Sequence, residues 1–256
     1  WTLAGAEVET VESITQVGVT RYITETTDKS IDDRIKCASH CAYALMGSGL
    51  HGSNGLGAMV CHQILKVYVI PRLLYGLEVL HLTSKQLDTL TKFHLKLLKQ
   101  IQGLPQRTAN ASVYLLLGAI PIEGQIHQRQ LTLLGAILRS KNTTLKDIAI
   151  RQTAIMSPKN NSWFLDVNHT LSKYDLPSTA DLLNTIPPKE QWKKICTDRI
   201  TAFWYDVLAA EASTKKTLQF LVPPTEGETH RCWQTVDHNA KDVQRATIKA
   251  RLLTGT

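Results

Sequence analysis

The 256-residue sequence has no apolar run of the roughly 18 residues that a membrane span requires. Its longest stretch of that kind, Val67 to Leu82, is broken by Pro71, Arg72, Gly76 and Glu78, so a soluble chain is expected. Hydrolase signatures are missing too: Ser, His and Asp are present, but neither a G-x-S-x-G elbow nor an H-E-x-x-H helix occurs. Asp32-Asp33 is an adjacent pair whose side chains diverge on a helix and make a poor metal clamp. Cysteine is sparse, five residues without framework spacing, which fits a reducing compartment better than a disulfide scaffold. No charged-then-apolar leader precedes the body at Trp1. The abrupt ends, Trp1 and Arg251 to Thr256, lead us to expect a piece of something longer.

Acidic residues are scarce in one region, and that scarcity shapes the functional reading. Hydrophobic content of 43% and charged content of 20% are ordinary for a folded protein. The net charge of +7 points towards polyanionic partners. Between Gly57 and Arg107 stand Lys66, Arg72, Lys85, Lys92, Lys96, Lys99 and Arg107 against only Glu78 and Asp88. The first 27 residues run the other way, with Glu7, Glu9, Glu12 and Glu25 against Arg21.

The pattern along the chain predicts an all-α fold with a short strand or hairpin arm near Val11 to Val19. Ile31, Ile35, Ala38, Ala42 and Leu45 recur at helical spacing, with Asp28 or Ser30 as N-cap. A glycine-rich loop from Gly47 to Gly57 separates this helix from a second, Gly57 to about Leu80, bent at Pro71. Thr83 and Gln86 have capping-box spacing for a third helix that stops at Gly103. Helices are expected at 110–117 and 121–139, with weaker patterning from Asn142 to Asn161. Further helices follow at 163–174, 178–183, 188–221 and 239–253, with Pro223-Pro224 opening a linker. The expected division is a strand lead-in at 1–27, a helical bundle at 28–141, a second helical region at 142–222, and a linker with a last helix at 223–256.

Five groups of residues could carry chemistry. Lys92, Lys96 and Lys99 stand at i, i+4 and i+7, so their ammonium groups fall on one helical face, either a phosphate-tracking row or a solvated surface. The glycine-rich loop could cradle phosphate, but it lacks the Lys-Ser/Thr ending of a P-loop and reads more simply as an interhelical turn. Cys37, His40 and Cys41, with Cys61 and His62, could offer zinc ligands, yet free cysteine beside an apolar helix face behaves as a small hydrophobe. His230, Cys232 and His238 have similarly loose spacing. Trp192, Phe203, Trp204 and Tyr205 could stack on bases, although aromatics within a helical run belong mostly to cores.

Several blocks carry a resemblance. They are Thr15 to Arg21, Ala42-Tyr43-Ala44-Leu45-Met46, Gly49-Leu50-His51-Gly52-Ser53-Asn54-Gly55-Leu56 and Tyr68-Val69-Ile70-Pro71-Arg72-Leu73-Leu74-Tyr75-Gly76-Leu77-Glu78. Gly103 to Thr108, Leu117 to Glu123 and Lys249 to Thr256 continue them. Together they resemble the region just downstream of the catalytic core in reverse transcriptases of non-LTR (LINE-type) retrotransposons. The resemblance implies a strand after the palm leading into a helical thumb that grips an RNA–DNA or DNA template-primer duplex without reading sequence. The polymerase Asp-Asp motif of that family would lie upstream and its zinc ligands beyond Thr256. No polymerase active site and no cofactor are therefore expected in this chain, the Mg of the parent polymerase belonging to the palm.

On that reading Lys92, Lys96, Lys99 and Arg107 are the expected phosphate contacts, with Lys66 and Arg72 second; charge placement selects them. The implied partners are the template-primer and the palm of the parent polyprotein, not a membrane. The implied location is intracellular, nucleus or cytoplasm, within a ribonucleoprotein. The competing expectation is a helical protein–protein interaction module domesticated from such an element.

Overall fold

The computed structural model describes residues 2–3, 6–7, 11–16, 18–22, 26–51, 55–154, 162–237 and 239–256. Among the described residues the fold is all-α, with two small antiparallel hairpins at the front, β1 (Thr2–Leu3) with β2 (Ala6–Glu7) and β3 (Ser13–Gln16) with β4 (Val19–Tyr22). Gly18, at φ +71°, turns the second hairpin, and the Arg34 guanidinium ties it down by donating to the Gly18 carbonyl at 2.5 Å.

Helix α1 (Thr26–Gly47) turns Ile31, Ala38 and Ala42 inward. Its start lies two residues before Asp28, which therefore sits in the first turn instead of capping it. The glycine-rich loop then leads to α2 (Ala58–Ile64), a π-helical turn (Leu65–Val69) and α3 (Ile70–Leu74). This departs from a single bent helix reaching Leu80. Pro71 has no N–H and its ring crowds the carbonyl four residues earlier, and here the chain widens into a π turn just ahead of it. Gly76, at φ +79°, separates α3 from a 3-10 turn (Leu77–Val79).

Helix α4 (Ser84–Ile101) begins where the capping-box spacing places it. The Gln86 N–H donates to Thr83 Oγ1 at 3.4 Å, and the Thr83 N–H donates to Gln86 Oε1 at 2.9 Å. Leu90, Leu97, Leu98 and Ile101 face inward, and Gly103 at φ +63° ends the helix. After α5 (Asn110–Leu117) and α6 (Ile122–Arg139) comes α7 (Thr143–Ala154), a helix in the weakly patterned stretch that the sequence did not announce. Then follow α8 (Trp163–Lys173), α9 (Thr179–Asn184), α10 (Lys189–Ser213), the short α11 (Arg231–Gln234) and α12 (Ala240–Leu253). Ser178 and Asp181 form the second capping box, at the start of α9.

Two apolar cores organise these helices. The first gathers α1 to α5 and is completed by Leu208, Leu218, Trp233, Ala246 and Ala250 from far along the chain. The buried Gln102 links these parts. Its amide donates to the carbonyls of Leu98 at 3.2 Å and Val113 at 3.1 Å, and its oxygen accepts from Trp233 Nε1 at 3.2 Å. Arg251 of α12 caps the end of α4, donating from Nη2 and Nε to the Gly103 carbonyl at 2.6 and 2.9 Å. Residues 223–256, which read as linker and last helix, thus pack against the front of the chain.

The second core holds Leu131, Leu134, Val167, Leu171, Trp192 and Ile200. Trp192 Nε1 donates to the Leu131 carbonyl at 2.8 Å. A Cβ on Gly135 would stand 2.5 Å from the Trp192 ring, so only glycine lets α6 and α10 approach this closely.

Candidate nucleic-acid interface

Helix α4 presents its polar stripe through Lys85, Asp88, Lys92 and Lys96, all exposed. Lys92 pairs with Asp88 at 2.6 Å across one helical turn, a solvated pair that salt screens. The Lys96 ammonium lies 5.7 Å from the centre of the Tyr43 ring on α1. Lys99 departs from this row. It is only 6% exposed, and its ammonium donates to the Gln106 carbonyl at 2.8 Å and to Asn110 Oδ1 at 3.0 Å. Burial, then the nearby charge of Lys215, holds its pKa below the usual lysine value. Lys99 therefore latches the turn between α4 and α5 and is no phosphate contact in this conformation. The i, i+4, i+7 spacing could not show this, because the loop that covers Lys99 folds back from beyond the helix. Lys85, seven residues before Lys92, takes its place on the exposed row.

Arg107, Lys66 and Arg72 are exposed. Lys66 lies in the π-helical turn, and Arg72 in α3 donates back to the Tyr68 carbonyl at 2.5 Å. The same region exposes three tyrosines that the sequence reading did not single out: Tyr43, Tyr68 and Tyr75, between 41% and 50% accessible. Arg34 lies 5.2 Å from the centre of the Tyr75 ring, and the Cys41 thiol reaches the Tyr68 carbonyl at 3.6 Å, so α1 joins the α3 side of this surface to the α4 side. Lys36, His40 and Tyr43 form the exposed ridge of α1 between them. Basic groups interleaved with exposed tyrosines can track a phosphate backbone and stack on bases. In the sequence Tyr68 and Tyr75 flank Lys66 and Arg72, but only packing brings Tyr43 to the α4 row and shows which rings stay outside.

The other candidates resolve differently. Cys37 and His40 are exposed, Cys41 bonds to the Tyr68 carbonyl, and Cys61 and His62 are buried. Among the described residues no group of three His, Cys, Asp or Glu side chains is placed to hold a metal ion. His230 Nδ1 accepts from the Cys232 N–H at 3.1 Å and caps α11, while His238 lies outside the described residues. In the glycine-rich loop, residues 52–54 lie outside the described residues too; Gly49 and Gly55 adopt φ +107° and +84°. Trp192 is buried in the second core, with Phe203 and Trp204 packed against it and Tyr205 against the first.

No protein-family model matches the chain, and neither a curated protein nor a solved structure does. What fold and surface define by themselves is an all-α protein with a basic, tyrosine-bearing face built on α1, α3 and α4. Among the described residues no helix is long and apolar enough to cross a membrane.

Proposed function

We propose that this chain is a nucleic-acid-gripping part of a retroelement reverse-transcriptase polyprotein, holding the template-primer through a thumb-like helical bundle. The observation that carries the binding reading is the exposed row Lys85, Lys92 and Lys96 on α4, with the Lys96 ammonium over the Tyr43 ring of α1. The assignment to a reverse transcriptase rests on the sequence blocks that resemble LINE-type elements. Binding of this kind is dominated by counterion release, so it weakens steeply as salt rises.

The test is fluorescence anisotropy with a primed RNA–DNA duplex over a salt series. Replacing Lys85, Lys92 and Lys96 together by Glu is expected to lower affinity on the order of a hundredfold and to flatten the log–log salt slope by about 2 to 3. Unchanged binding in that variant would remove the face from consideration. Lys99→Glu is a separate probe, expected to disrupt folding of the α4–α5 turn.

The second reading, a protein interaction module, draws support from exposed apolar side chains near the end of the chain. Phe220 and Val222 are 67% and 74% accessible, and Leu252 on α12 is 70% accessible. Nucleic-acid affinity that survives Phe220→Ser/Val222→Ser unchanged would separate that surface from the basic face.

A further inference from the structure

Away from the basic face, a cleft of about 220 Å³ opens where α6 and α8 meet the start of α4. Leu82, Leu87 and Ile126 give it an apolar side, and Glu123, Gln130 and Asp166 bring acceptor groups to it. Gln130 is 4% exposed, and its side-chain oxygen has no hydrogen-bond partner. A buried amide oxygen left unpaired carries an uncompensated desolvation cost, which a donor supplied from outside the chain would relieve by meeting it.

The basic side chains around the cleft are already committed. The Lys173 ammonium pairs with Glu123 Oε1 at 2.6 Å and lies 4.7 Å from the centre of the Trp204 ring and 5.4 Å from that of Phe203, which turns it towards the aromatic wall. His81 Nδ1 meets Asp166 Oδ2 at 2.7 Å. Trp204 Nε1 can only donate, and it does so to the Tyr174 hydroxyl at 3.0 Å. That hydroxyl and His127 Nδ1 share a further hydrogen bond at 2.7 Å. Burial pushes His127 down to about 4, so it adds no charge near neutral pH. His169 stands exposed at the edge. Each carboxylate keeps a second oxygen, and the orphaned acceptor is Gln130.

We infer that this cleft binds a compact organic cation, an ammonium or guanidinium head on a short apolar stem, with the head donating to Gln130 Oε1 between Glu123 and Asp166. The stem would lie along Leu82, Leu87 and Ile126. The inference goes beyond the nucleic-acid reading and does not depend on it.

The experiment titrates n-butylammonium and ethylguanidinium chloride into the full chain labelled with ¹⁵N, with n-butanol and sodium butyrate as uncharged and anionic controls. The expected result is saturable shifts of the Gln130 side-chain amide and neighbouring α6 and α8 amides with either cation and with neither control. Gln130→Met removes the acceptor while keeping shape, and is expected to weaken binding at least tenfold without lowering Tm, since no internal partner is lost. Asp166→Asn, outside the core, is the second variant and is expected to weaken binding severalfold. No saturable shift in the wild type, equal binding of butyrate, or full affinity in Gln130→Met would each overturn the proposal. The last result would mean that Gln130 Oε1 takes no part in binding.

Discussion

The two cores place their basic side chains differently. In the first, titratable side chains go inside: His62 and His94 are buried, Lys99 is buried against a carbonyl and an amide, and the charged surface is left to α1, α3 and α4. In the second, aromatic rings fill the interior and acid–base pairs gather at its margin, Lys173 with Glu123 and His81 with Asp166. A basic outer face and a paired polar cleft therefore arise within one helical chain. Net charge therefore locates only the first kind of site; the second, where acids stand beside bases, is invisible to composition.

Trp192→Ala should separate the two cores. Removing a buried tryptophan should cost about 3 to 5 kcal/mol. Hydrogen exchange is the readout: lost protection should concentrate in α6 and α10, leaving α4 and α5 protected. Equal loss in both cores would show that they unfold as one cooperative unit.

Acid should act in the opposite direction. Burial pushes His62 down to about 4 and His94 to about 3, against an ordinary value of 6.5. Both are neutral when folded, so nothing is lost above pH 6.5. As pH falls from 6.5 towards 4 the unfolded chain takes up protons that the folded one refuses, and stability drops. Each histidine should cost about 2 kcal/mol by pH 5. Chemical denaturation at pH 7 and pH 5 measures the loss, and His94→Gln should make the profile shallower. Exchange at pH 5 should rise in α2 and α4 before α8; the reverse order would contradict this account.

The smallest expected effect is at the seam between the regions. Thr83→Ala removes the side-chain half of the capping box and should cost about 1 kcal/mol, seen as a small fall in Tm. A fall several times larger would mean that Thr83 also holds the cleft side of α4.

Much of the first region was legible in its residues. The Thr83–Gln86 spacing located the start of α4, Gly103 its end, and Leu90, Leu97 and Leu98 its buried face, because capping and helical periodicity act within a few residues. Lys92 and Lys96 were legible as an exposed pair for the same reason. Lys99 was not, since the acceptors that bury it come from Gln106 and Asn110. The cleft was illegible for a stronger version of that reason: Gln130 and Asp166 lie on different helices, and only packing makes them neighbours.

By itself, then, the sequence determined an all-α chain, most of its helix limits and the concentration of basic charge between Gly57 and Arg107. These follow from local rules of spacing, capping and composition, which operate over one or two turns. Tertiary structure alone decided that Lys85 and not Lys99 stands on the outer row, that Tyr43 borders it, that residues 223–256 close the first core, and that Gln130 faces a cleft unpaired. Each of these depends on contacts between residues distant in the chain, where burial and the search of polar groups for partners outweigh any local preference.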